Sequence, residues 1–107
     1  MRVEYKQAPP YPEVSTSGVT LYIDDQAFDL ATMQQNSERI ENVRDHRGRF
    51  LANIIIPPKV YEEVDTGETD KEGNAIYELQ AQPLNMEQVR LVLWQKRPKK
   101  QTEEEVA

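Results

Sequence analysis

Arg49-Phe50-Leu51-Ala52-Asn53-Ile54-Ile55-Ile56, followed by Pro57-Pro58, is the stretch that decides the fold. It holds three isoleucines and one phenylalanine, and β-branched and aromatic side chains suit a pleated, half-buried surface. Its last three residues are all apolar, which predicts burial on both faces. The two prolines stop it, because each fixes φ and removes a backbone donor. Immediately upstream, Asp45-His46-Arg47-Gly48 has the composition of a turn, with glycine where positive φ costs least.

Further upstream the pattern changes period. Leu30, Met33, Ile40 and Val43 fall at helical spacing, with Ser37 in the missing step. This predicts a helix over 30–44, with Asp29 as its N-cap. The polar run Gln34-Gln35-Asn36-Ser37 interrupts that pattern, and the rival reading is a loop through Ser37 and then a strand over 39–44. Before that, Val19-Thr20-Leu21-Tyr22-Ile23 alternates in polarity and is separated by Asp24-Asp25 from Gln26-Ala27-Phe28-Asp29-Leu30. A two-residue break between alternating segments is the signature of a tight hairpin.

Downstream, Val60-Tyr61-Glu62-Glu63-Val64 and Ala75-Ile76-Tyr77-Glu78-Leu79-Gln80 read as a second hairpin. The polar connector 65–74 between them is expected to be a mobile, solvated tip. Val89-Arg90-Leu91-Val92-Leu93-Trp94 reads as a strand. Asn85 and Gln88 stand at capping-box spacing, so a second helix over 86–95 in an α+β fold is the alternative. At the N-terminus, Val3 and Tyr5 alternate with charged residues and allow a short edge strand. Pro9, Pro10 and Pro12 make 7–18 a proline-rich loop or arm.

The expected architecture is therefore mainly β. It is a small sandwich or open barrel of about five or six short strands built from hairpins. One domain spans 1–97, and the charged segment 98–107 is expected to be a disordered tail. The chain's 107 residues suit a single domain. Its 37% apolar content lies below the usual ~45–50%. The apolar residues are clustered, however, which argues for folding.

Composition excludes several kinds of chemistry. Without cysteine there are no disulfides, thiolate metal sites or cysteine nucleophiles. With 13 basic and 19 acidic residues the net charge is −6, which disfavours nucleic acid as a partner unless a local basic patch exists. No signal-peptide core or membrane-length apolar run is present, so a soluble, cytoplasmic protein is expected, or a virion-associated one if it derives from a phage.

No catalytic group finds a partner in the sequence. His46 is the single histidine, and Ser15, Ser17 and Ser37 sit in no nucleophile pattern. Glycine-rich phosphate loops are absent. Asp24, Asp25 and Asp29 cluster near one turn and raise a divalent-cation reading, but turn chemistry accounts for them. The segment 65–74 fails calcium-loop spacing, with Gly67 and Asp70 where a ligand and a glycine are needed. No enzyme activity, cofactor or metal is expected.

Contact residues remain. Tyr5, Pro9, Pro10 and Tyr11 could lie extended along a protein partner, since prolines reduce the entropy lost on docking. Arg44, His46, Arg47 and Arg49 could meet phosphate or an acidic surface. With Lys96-Arg97-Pro98-Lys99-Lys100 they form the basis of an alternative, a nucleic-acid-associated regulator. The remaining tyrosines are expected in the core or in cross-strand pairs. The leading expectation is a non-enzymatic interaction or structural accessory module, of the kind found in phage or prophage particles.

Overall fold

The computed structural model describes residues 1–96, and the expected tail lies outside them. The described chain is mainly β. Its strands are β1 (Arg2–Tyr5), β2 (Val14–Ser17), β3 (Thr20–Ile23), β4 (Gln26–Asp29), β5 (Arg39–Arg44), β6 (Phe50–Ile56), β7 (Tyr61–Thr69), β8 (Ala75–Ala81) and β9 (Arg90–Leu93). A single helical turn, α1 (Leu30–Met33), follows β4, and a 3-10 turn covers Met86–Gln88. The strands form a four-stranded sheet, β1-β9-β6-β5, a three-stranded meander, β2-β3-β4, and a two-stranded ribbon, β7-β8.

The stretch 50–56 is the middle of the larger sheet. It pairs antiparallel with β5 on one side and β9 on the other, and β1 adds to β9 in parallel. Ile54 lies opposite Glu41 and Leu91, and Ala52 opposite Val43 and Leu93. These inward residues meet Leu21 and Ile23 of the meander, with Leu30, Leu84 and Val89, in one core. A bulge between Val43 and Arg44 leaves Leu51 as the extra residue of β6, and both Leu51 and Ala52 turn inward. Each fully buried leucine or isoleucine is worth about 1.5–3 kcal/mol of transfer free energy.

The outward face of the same sheet is only half covered. It carries Ile40, Ile55, Asn42, Asn53 and Val92, with Arg2 and Arg90 in register beyond them. Ile55 is half-buried and Ile40 exposed, so the apolar run 54–56 is fully covered on one side only. Trp94 Nε1 donates to Asn53 Oδ1 at 2.6 Å, and Asn53 Nδ2 donates to Asn42 Oδ1 at 2.8 Å. This polar ladder fixes three side chains on a surface that water still reaches.

Several sequence expectations change. The helix over 30–44 is one turn long, and the rival strand over 39–44 is the structure found. Asp29 does cap that turn, accepting from Thr32 N at 3.2 Å. Gln34 ends it, with its backbone extended and its side-chain amide donating to the carbonyls of Pro57 and Pro58. A longer helix would carry that amide away from the exit of β6. The alternative helix over 86–95 is one 3-10 turn, capped by Asn85, and the strand read over 89–94 is present as β9. The irregular stretch after the prolines is shorter than 7–18, because β2 pairs with β3 around a turn at Gly18, whose φ is +60°. These short N-terminal strands raise the count above five or six, while the mainly β class holds and the sheets of the described residues stay open.

The ribbon β7-β8 stands apart. Both of its strands are exposed throughout except for Val64. The strands run on to Thr69 and resume at Ala75, so the solvated connector shrinks from 65–74 to a tip at 70–74. Nine residues of β7 span roughly 30 Å at the rise of a strand. The described molecule measures 82 × 22 × 21 Å, with a radius of gyration of 20.3 Å. A compact chain of this length would have about 13 Å. The ribbon is an arm.

Candidate functional site

The two contact regions expected from the sequence meet. The proline segment is held by the body: Lys96 N donates to Pro10 O at 2.7 Å, Gln95 Nε2 to Pro9 O at 3.2 Å, and Lys6 N to Leu93 O at 2.8 Å. Tyr5 and Tyr11 form a tilted aromatic pair with centroids 4.9 Å apart, and Tyr11 Oη donates to Gln7 O. Pro10, Tyr11 and His46 line one open cleft of about 670 Å³, with Asp24, Asp25 and Lys96. Arg49 lines a neighbouring one with Arg44 and Phe50. Arg47 is exposed on the turn.

Much of this charge is committed internally. Lys96 Nζ lies 2.9 Å from Asp24 Oδ2, and Asp24 Oδ1 accepts from Glu13 N. Arg44 stacks over Phe50 at 4.0 Å and donates to Gly48 O. His46 meets Asp25 at 3.2 Å, with both side chains largely in water. Among the described residues, no group of three or more His, Cys, Asp or Glu is disposed to hold a metal ion.

The arginine turn and the arm tip share one construction. Gly48 N donates to Asp45 O and Gly73 N to Asp70 O, with φ of +79° and +85° at the two glycines. Each aspartate accepts through Oδ1 from the second and fourth amides after it: Arg47 and Arg49 in one turn, Glu72 and Asn74 in the other. Asp-x-x-Gly is the legible signature of both. Partial burial raises the Asp45 pKa, but the amides of Arg49 and Arg47 and the Arg49 guanidinium together outweigh it. Asp45 therefore titrates below the usual carboxylate value. Its folded pKa is depressed, so its contribution is complete above the unfolded value of about 3.9 and is lost as pH falls through the folded value. Asp45→Ala is expected to cost about 1–2 kcal/mol at neutral pH, a loss read from the urea midpoint that narrows below about pH 4. An undiminished difference at pH 2 would show that the carboxylate charge is not the cause.

The arm is the feature that sequence reading missed as a contact surface. Tyr77 is 58% and Leu79 67% exposed, against the expectation of packed aromatic residues. Register places Tyr61, Tyr77 and Leu79 on one face together with Glu63 and Asp65. Between Tyr61 and Ala81 lie seven acidic residues and Lys71, so the arm carries the whole net charge of −6. The rest of the chain is balanced. A running charge sum along the sequence would have shown this. The expectation of core tyrosines concealed it.

Its base is fixed to the body. Gln82 N donates to Val60 O at 2.7 Å, Lys59 N to Gln35 O at 2.8 Å, and Tyr61 Oη to Asn36 Oδ1 at 2.6 Å. The arm thus leaves from the Ile56 end of β6, while Phe50 and Arg44 occupy the other end. Compared with known proteins, the chain matches no family model, no curated protein and no solved structure.

Proposed function

We propose that this protein is a non-enzymatic interaction or structural accessory module of a larger assembly, such as a phage or prophage particle, with the β7-β8 arm as its contact element. The observation that supports this reading is an exposed two-stranded ribbon holding Tyr77 and Leu79 in water. An isolated two-stranded hairpin is marginal in water and needs a third layer or strand for stability. A partner laid on the arm would supply that layer. Aromatic side chains are enriched at the anchors of such contacts.

Site-specific photo-cross-linking in the producing cell tests the reading. A photoreactive phenylalanine analogue in place of Tyr77 is expected to give a discrete adduct. The same analogue at Ala31, exposed on α1, is the control and should give none. Equal labelling at both positions, or none at Tyr77, would remove the arm as the contact element.

A further inference from the structure

The arm and the outward face of the four-stranded sheet are complementary in charge, and each carries uncovered apolar side chains. On the arm, acidic Glu63 and Asp65 of β7 run beside Leu79 and Tyr77 of β8, directly opposite them in register. On the sheet, Ile40 of β5, Ile55 of β6, Arg90 of β9 and Arg2 of β1 follow one another in a single row across the four strands. Both surfaces thus place an apolar side chain directly beside a charged one on the next strand, Leu79 beside Glu63 and Ile55 beside Arg90, about 4.8 Å apart. The charges are opposite. The outward face holds Arg2, Arg44 and Arg90 against Glu4. Beyond Ile55, a slot of about 110 Å³ opens between Phe50 and Trp94, floored by Asn53.

We propose that the arm of one copy docks on the outward sheet face of a second copy, joining copies head to tail. This rests on the arm being the contact element. The arm has no extensive packing against its own sheet and leaves from the Ile56 end of β6, so the contact is made in trans. Arm and face are different surfaces, so the interface is heterologous. Repeated, it closes a ring or grows a filament. Tyr77 and Leu79 cover the apolar pair Ile40 and Ile55, and Glu63 and Asp65 meet the arginines. A narrow arm buries a small area, so each contact is weak and salt-sensitive.

Complementing variants of the full chain decide the matter in the ultracentrifuge. The parent protein is expected to gain mass from about 10 to about 500 µM, the range over which a small interface fills, and to lose that gain in 1 M salt. Tyr77→Ser/Leu79→Ser, with a dead arm, and Arg2→Glu/Arg90→Glu, with a dead face, should each remain monomeric. All four residues are exposed, and unchanged thermal melting confirms folding. Mixed in equal amounts, the two variants should restore one contact and give a dimer that grows no further. A parent that stays monomeric throughout, or a mixture that does, overturns the proposal. Association lost in the arm variant but kept in the face variant overturns it too, while leaving the arm as the contact element.

Discussion

Ile54→Ala is expected to lower the unfolding free energy by about 2–5 kcal/mol, the range for truncating a fully buried aliphatic side chain. Ile54 is 0% exposed and lies in the middle strand pair of the larger sheet, with Leu91 beside it in register. Removing three carbons there forfeits transfer free energy and leaves a cavity that neighbours on both strands can close only in part. A domain of this size has about 5–15 kcal/mol in total, so the variant should be partly unfolded at physiological temperature. Leu79→Ala removes as much hydrocarbon from a site that is 67% exposed, and it should shift stability by less than ~0.5 kcal/mol. Urea titration of both variants checks the pair. Comparable losses would mean that the arm packs on the body in solution, and a small loss at Ile54 would displace the core from β6.

The contrast between those residues marks where the sequence was informative. Leu21 lies in an alternating segment and Ile54 and Leu91 in segments rich in strand formers, with turn or proline breaks around them, and side-chain composition and turn chemistry are local properties. The Asp24-Asp25 hairpin could be placed for the same reason, with positive φ needed at Asp24 alone. At Leu30, Met33, Ile40 and Val43 the helical spacing misled. Val43 lies in the core beside its cross-strand partner Ala52, and Ile40 stands on the opposite face in solvent. No local pattern reports that difference, because it depends on which face of β5 another layer covers. The parallel pairing of β1 with β9, separated by most of the chain, is equally non-local. The same limit hid the cleft where Tyr11 and His46 meet.

Excising Glu62–Gln80 and bridging the gap with a short Gly-Ser linker should leave the body folded. Val60 and Gln82 already exchange a backbone hydrogen bond of 2.7 Å, so the ends to be joined are close. The buried core contains no residue between 60 and 83. The melting midpoint should therefore move by only a few degrees, the shift that ~1 kcal/mol produces in a domain of this size. Tyr61 keeps its link to Asn36, which holds the base of the arm. Hydrodynamics and charge should change far more. The excised segment carries the entire net charge of −6, so the shortened chain becomes formally neutral and its isoelectric point rises steeply. Its radius of gyration should fall from 20.3 Å toward the ~13 Å of a compact chain, as read by small-angle scattering. A chain that keeps its fold after losing its extension and its charge would locate stability in the body and show that the arm is dispensable for folding. A chain that unfolds would show that the arm stabilises β6 and β9, and the division of labour drawn from its exposure would fail.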